Sequence, residues 1–352
     1  ERAPDQPLDL LCAARLLALG RLPTDPLGRR PGEHRVLGGD PALALALHPA
    51  RHVLVDGRGA QHPGVAERHQ HRPGGLHGEV PFEGDGAKFV VLAAVVLGLA
   101  LWGFAEARRI PRVRRVDIEI RGLSAEADGM TIAVLTDTHF DSFKKPSWSA
   151  GVVDVVNGLG ADVVVHAGDL ADGSVAARRE QSAALGGVRA AYRFYIAGNH
   201  EYYSGVGDWT AHMADLGWEV LLNAHGVVGE RLVIAGVDDP TGNGVPGHGT
   251  DLDAALAGVP DLPIVLLAHQ PHLIATSRDR VDLQISGHTH GGQMWPFHYL
   301  VRLREPVVQG LSRHGDRTQV WTSRGTGYWG PPFRIFAPSE ISLLTLCSTT
   351  SA

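Results

Sequence analysis

The chain has 352 residues, 44% of them hydrophobic and 20% charged, with a formal net charge of −6. This composition excludes collagen-like, coiled-coil and wholly disordered chains. The negative balance argues against a dedicated nucleic-acid binder, whose phosphate contacts require a basic surface, so no nucleic-acid-specific binding is expected. The two cysteines, Cys12 and Cys347, lie near opposite ends and form no C-x-x-C, so neither a disulfide framework nor a thiolate zinc site organises the fold.

Residues 1–87 contain one aromatic, Phe82, and no lysine precedes Lys88. Pro, Gly, Arg and His recur without helical or strand period, and too little apolar bulk is present to offset the entropy of ordering. The first Met is Met130, so a truncated or mis-framed, largely unstructured segment is expected over 1–87. Its seven histidines, among them the His69-x-His71 pair, read as a solvated, compositionally biased tail. The next segment, 88–107, is expected to be a transmembrane helix. Its 17 residues from Phe89 to Ala105 carry no charge, and as a helix they cover about 25 Å, slightly short of the ~30 Å hydrocarbon core. Lys88 and Arg108 can snorkel and Trp102 can sit at an interface to make up the difference. Arg108, Arg109, Arg112, Arg114 and Arg115 follow at once, whereas Glu79, Glu83 and Asp85 precede. The positive-inside rule therefore places the C-terminal part in the cytoplasm.

From Val116 onward apolar runs of strand length alternate with helical stretches. Strands are expected at 131–135, 162–165, 193–196, 232–235, 264–267 and 283–285, and helices at 148–159, 176–185, 208–216 and 252–256. This alternation indicates an α/β domain, assigned to 116–347. Five of the strands run into polar clusters: Asp137-Thr138-His139, Gly168-Asp169, Gly198-Asn199-His200-Glu201, His269-Gln270 and Gly287-His288-Thr289-His290. Asp, Asn and His without Cys suit a hard or borderline divalent ion such as Mn, Fe or Zn. Each cluster alone is weak, since Asp and His often cap helices. Five in order, each at a strand end, are not explained by packing.

These clusters resemble the motifs of the calcineurin-like metallophosphoesterases. The run from Gly198 to Gly205, Ala268-His269-Gln270-Pro271, the stretch Gly287 to Gln293, and the terminal Gly330-Pro331-Pro332-Phe333-Arg334 with Glu340-Ile341-Ser342-Leu343 are similar to a membrane-associated bacterial branch related to YkuE and YaeI. The resemblance implies two packed mixed β-sheets flanked by helices (α/β/β/α) and a membrane anchor in a bacterial inner membrane. It also implies two divalent metal ions, one on Asp137, His139 and His290, the other on Asn199, His269 and His288, bridged by Asp169. His200 would stand toward the substrate and supply a proton to the leaving group. The reaction so implied is hydrolysis of a phosphate monoester or diester, a hydroxide shared by the metals attacking phosphorus in line. Glu201 would orient His200 or be an exposed loop acid. His166 reads as a buried neutral imidazole or a hydrogen-bond partner behind Asp169, and His272, close to His269, is a further candidate.

The substrate is less legible. Loops 141–150, 202–208, 238–251 and 294–305 are expected to rim the cleft, with Tyr202, Tyr203, Trp295, Phe297 and Tyr299 as stacking surface and Arg302 and Arg304 facing anionic groups. An anchor close to the domain favours a lipid-linked or membrane-proximal phosphoester, and a soluble phosphodiester stays open. A non-catalytic metal-binding scaffold is the alternative class, and an iron redox protein a third. Scaffolds on such a fold lose ligands, whereas the full set stands here.

Overall fold

The computed structural model describes residues 86–349. The expectation for residues 1–87 falls outside them, save for the last two positions.

The first element is a helix, Gly86–Arg108. Its sequence contains no proline and no charge between Lys88 and Glu106, and Arg108 closes it with a positive charge at the negative end of the helix dipole. Pro111 disfavours helical geometry at Ile110, so the chain leaves as a strand. From Phe89 to Leu101 the large side chains other than the half-buried Leu99 are exposed, Phe89 by 70%, and only Gly103, Glu106 and Ala107 of the helix are buried. A helix apolar on every side and uncovered by the described residues over most of its length has the character of a membrane span, and this one is long and apolar enough to cross.

Among the described residues twelve strands follow: β1 Arg112–Ile120, β2 Thr131–Leu135, β3 Val163–Ala167, β4 Tyr192–Ile196, β5 Glu219–Val220, β6 Ala224–Val228, β7 Leu232–Gly236, β8 Ile264–Leu267, β9 Leu283–Ser286, β10 Gly310–His314, β11 Thr318–Thr322 and β12 Glu340–Ser348. They form two six-stranded sheets, ordered β1-β12-β2-β3-β4-β5 and β10-β11-β9-β8-β7-β6. Both are mixed. In the first only β12–β2 is antiparallel, and in the second β10–β11 and β6–β7 are.

Strand periodicity builds the layers. Ile132 and Val134 of β2, with Val163 and Val165 of β3, face Ile234, Val265, Leu267 and Ile285 of the other sheet in one core. The alternate residues, Ala133, Leu135 and Val164, turn outward onto Val152, Val153 and Val156 of the helix Pro146–Leu159 and onto Trp209 and Met213 of the helix Val206–Asp215. Across the second sheet, Val233, Ala235 and Leu266 pack on Leu252, Ala255 and Leu273. Helix, sheet, sheet and helix are thus stacked in four layers. Both faces of the central strands are buried, which is why these strands read as unbroken apolar runs.

Parallel strands end on one edge, and here the carboxyl ends of β2, β3, β4, β8 and β9 meet. Backbone bonds stitch the segments beyond them: Asp137 N–H to Gly168 C=O at 2.9 Å, His139 N–H to Asp169 C=O at 3.1 Å, and Gly287 N–H to His269 C=O at 3.0 Å.

Candidate metal centre

All eight side chains expected at the site converge on that edge. Three overlapping groups have donor atoms within 4.8 Å of one another: Asp137, His139 and His290; His139, Asp169 and His200; and Asp169, His269 and His288. Asp169 Oδ2 lies 3.2 Å from His269 Nε2, 3.5 Å from His139 Nε2 and 4.0 Å from His200 Nε2. Asp137 Oδ1 is 3.4 Å from His290 Nε2 and 4.0 Å from His139 Nε2. Asn199 Oδ1 is 3.0 Å from His288 Nδ1.

The backbone is bent to achieve this. Asp137, His139, Asp169, His288 and His290 all have positive φ, between 42° and 68°. Non-glycine residues rarely adopt this region, and five such residues at one place mark a strained functional segment. Close packing is the other requirement. A Cβ at Gly198 would strike the Asp169 carboxylate and backbone, and one at Gly287 would strike Asp137 and Thr136. Glycine is needed at both because nothing larger fits.

Every donor is aimed by a partner. Thr136 Oγ1 donates to Asp137 Oδ2 at 2.8 Å, and the His288 N–H donates to Asp137 Oδ1 at 3.0 Å. The His200 N–H donates to Asp169 Oδ1 at 2.9 Å. His269 Nδ1 donates to the Ala167 carbonyl at 2.8 Å, which turns its Nε2 toward the cluster. That Nε2 is buried and has no hydrogen-bond partner. Buried polar atoms are nearly always paired, so an orphaned imidazole nitrogen beside two buried carboxylates has the chemistry of an open ligand position. The donor set of two carboxylates, one amide and four imidazoles suits a divalent ion.

Asp172 is a residue the sequence reading missed. One carboxylate oxygen takes His200 Nδ1 at 2.6 Å and His139 Nδ1 at 3.1 Å. It fixes both rings with their Nε2 atoms inward, the usual role of a carboxylate behind a histidine ligand. The only sequence signal for it is its position three residues beyond Asp169. Burial would raise the Asp172 pKa, but His139 and His200 outweigh that and hold it well below the usual carboxylate range. Burial would likewise lower the His200 pKa, but Asp169 and Asp172 lift it to about 9.

Arg334, part of the terminal motif but without an expected role, is the second. It is fully buried, and its guanidinium donates to the carbonyls of His290 (3.0 Å), Arg324 (2.7 Å), Ala337 (3.1 Å) and Gly327 (3.0 Å), while lying 3.0 Å from His290 Nδ1. Burial lowers its pKa to about 10, so it stays charged at neutral pH. Burial, then the Arg334 charge, keep His290 well below the ordinary histidine value and hence neutral.

Glu201 differs from expectation. It is neither exposed nor directed at His200. Its carboxylate is buried and accepts three backbone N–H groups, from Gly198 (2.6 Å), Leu170 (2.6 Å) and Asp169 (3.0 Å), so it pins the loops after β3 and β4 together. Burial, then the Asp169 charge, raise its pKa to about 7. His166 is fully buried with Nε2 3.1 Å from Thr138 Oγ1, and burial lowers its pKa to about 3, so the ring is neutral. His272 lies outside the cluster, half-exposed, 3.9 Å from Glu305.

The rim follows the expected loops in part. Tyr203, Trp295, Phe297 and Tyr299 are exposed, whereas Asp238 and Asp239 of the loop 238–251 are buried. The Trp329 ring is 6.2 Å from that of His200 and forms a further, unforeseen part of the rim.

A family model described as calcineurin-like phosphoesterase matches residues 130–292. The chain is 37% identical over 271 residues to a transmembrane protein with metallophosphoesterase domain from Danio rerio, covering 73% of this chain and 62% of that one. It is 34% identical over 261 residues to a metallophosphoesterase of Helicobacter pylori, covering 73% and 70%. Bacillus subtilis YkuE, a metallophosphoesterase, is 29% identical over 237 residues, covering 63% and 80%. The chain thus spans less than two thirds of the zebrafish relative's length.

Proposed function

The chain belongs to the calcineurin-like metallophosphoesterase family, and from that premise we propose that it hydrolyses phosphate esters, monoesters or diesters, with two divalent ions of Mn, Fe or Zn at the centre. One ion would be held by Asp137, His139 and His290, the other by Asn199, His269 and His288, with the Asp169 carboxylate within reach of both groups. The observation that carries this reading is the buried, unpartnered Nε2 of His269, 3.2 Å from an equally buried Asp169 oxygen. When bound, such a pair of ions polarises the phosphoryl oxygens and makes water a nucleophile near neutral pH.

The chain's own groups do the rest. Asp137 and Asp169 supply negative charge that balances the cations. The Asp172–His200 pair, 2.6 Å apart, leaves His200 Nε2 as the proton donor toward a leaving oxygen. Trp329 and Tyr203 border that histidine, at 6.2 Å and 5.4 Å between ring centroids. We further infer that the helix Gly86–Arg108 anchors the domain on the cytoplasmic side of a bacterial inner membrane, its substrate being membrane-proximal or lipid-linked. Arg109 and Arg112 are ion-paired with Glu106 and Arg114 with Glu340. The orientation rule counts Lys and Arg rather than net charge, so the basic flank keeps its meaning.

Elemental analysis of the purified full chain, with Mn-supplemented assays on a chromogenic phosphodiester and monoester, tests the proposal. Asp169→Asn is expected to lose metal and to fall in turnover by more than about 100-fold, beyond the range seen for outer partners of metal ligands. His200→Ala is expected to keep metal and lose about 10²–10⁴-fold in turnover, the range for a general acid. Asp169→Asn with parental activity would remove the shared-carboxylate assignment.

A further inference from the structure

We propose that the segment from Trp295 to Leu303, with Phe336, is a second membrane contact that seats the mouth of the metal centre at the headgroup plane beside the helix Gly86–Arg108. The contact itself stands on the geometry below. Its consequence for the substrate rests on the hydrolase reading.

The surface is unusual for water-facing protein. Trp295, Phe297, Tyr299, Leu300, Leu303 and Phe336 are all exposed, Leu303 by 80% and Phe336 by 62%. A cluster of large apolar side chains on so short a stretch marks a binding surface. It also carries Arg302 and Arg304, the residue type that meets anionic headgroups beside inserted apolar groups.

The surface is continuous with the helix. The Phe336 ring lies 5.6 Å from Trp102 of the helix and 6.5 Å from Trp295. Beside it, Phe333 lies 6.1 Å from Phe104, and the Arg334 N–H donates to the Gly103 carbonyl at 2.9 Å. Gly103 permits this approach, since a Cβ there would lie 2.8 Å from Ile335. Phe336 holds a left-handed backbone, φ 59°, a conformation a bulky aromatic rarely accepts. The flanking bonds impose it: Trp295 N–H to Ile335 C=O at 2.9 Å and Ile335 N–H to Gln293 C=O at 3.0 Å.

Depth selects lipid as the occupant. The uncharged stretch Phe89–Ala105 spans about 25 Å as a helix, below the ~30 Å hydrocarbon core. Trp102 lies near its C-terminal end, so the rings that touch Trp102 sit at the membrane boundary. Aromatic residues favour that layer, and their insertion there offsets the short span. The same segment begins two residues after Gln293, whose side chain is bonded twice to the Trp329 backbone, at 2.6 and 2.9 Å. Trp329 in turn borders His200. The membrane boundary is therefore joined to the rim of the centre through Phe336, Trp295 and Gln293.

The test uses the full chain in vesicles of phosphatidylethanolamine and phosphatidylglycerol. With Cys12→Ser and Cys347→Ser as background, spin labels are placed singly through Leu300→Cys, Leu303→Cys and Phe336→Cys, with Asp253→Cys, an exposed position on the short helix Leu252–Ala255 that packs on the second sheet, as the aqueous control. Relaxation by oxygen is compared with that by a soluble nickel chelate. The oxygen-to-nickel accessibility ratio is expected to be several-fold higher at the three sites than at Asp253. Ratios at 300 and 303 equal to the control would overturn the proposal, and so would shielding from both reagents, which indicates a protein covering. Hydrolysis of a soluble chromogenic phosphodiester, assayed on Leu300→Glu/Leu303→Glu with a label at 336, is expected to stay at the parental rate while the label loses oxygen accessibility. An inactive parent with lipid-exposed labels removes the hydrolase reading and leaves the membrane contact. An active parent with water-exposed labels does the reverse.

Discussion

The Asp137–His139–His290 group and the Asp169–His269–His288 group use the same residue types but are supported differently. In the first, both histidines are held by charged side chains, the His139 ring by Asp172 and the His290 backbone carbonyl by Arg334. In the second, His269 leans on the Ala167 carbonyl, and His288 contacts Asn199. A backbone carbonyl at a strand end moves only if the sheet moves, whereas a side-chain support can be removed by one substitution. The first group is therefore the adjustable half of the centre and the second the fixed half. The adjustable half is also the one joined, through Arg334, to the helix Gly86–Arg108.

The largest expected effect comes from removing Arg334. Arg334→Ala leaves the carbonyls of Arg324, Ala337 and Gly327 without their donor, while the His290 carbonyl keeps only the Gln293 N–H at 3.0 Å. Each unpaired acceptor carries a penalty of about 1–3 kcal/mol, partly relieved by entering water, so a loss of about 4 kcal/mol is expected. For a domain of this size that is roughly 10 °C in Tm by scanning fluorimetry. Metal bound at saturation should fall toward one ion per chain as the first group loosens. Loss of both ions together would show that the halves are not separately supported.

Asp172→Asn is a finer cut through the same half. The amide keeps its size but loses the charge that holds His139 and His200. A loss of about 10–100-fold in metal affinity or turnover is expected, as for other outer carboxylates. The discriminating readout is the pH dependence of kcat, because a merely structural role would lower kcat evenly at all pH values. Asp172→Glu should restore part of the activity.

The contrast also explains what the sequence could and could not reveal. The second group and the strands beneath it are written locally. β2 and β8 carry the bounds expected from their apolar runs, and β3, β4, β7 and β9 differ by one or two residues, because strands buried on both faces are unbroken apolar text. Ligand types then stand directly past those runs. β1 is no unbroken apolar run, since Arg, Asp and Glu residues intervene along this sheet edge, and β12 is interrupted by the buried Glu340 and Ser342. The supports of the first group are not local either. Arg334 reaches His290 across 44 residues, and nothing in its own neighbourhood announces that it is buried. Glu201 looked like a loop acid because the three N–H groups it accepts belong to two loops that only the tertiary fold brings together.

The smallest expected effect lies beneath the two halves, at His166. This imidazole sits in the first sheet under Thr138, whose hydroxyl also donates to the Leu170 carbonyl at 2.8 Å. Burial is the first cause of its low pKa of about 3, against 6.5 in an exposed histidine. Between these values the unfolded chain takes a proton that the folded chain refuses, so stability contributed by the neutral ring is complete above pH 6.5 and is lost as pH falls toward 3. His166→Gln keeps a group able to hydrogen-bond Thr138 but does not titrate. The variant should be modestly less stable than the parent at pH 7.5, and the gap should narrow steadily in urea titrations from pH 6.5 to 4. A constant gap across that range would mean that His166 is reached by water or protons in the folded state. The sheet would then be a less rigid footing for the fixed half than its buried carbonyl contact with His269 indicates.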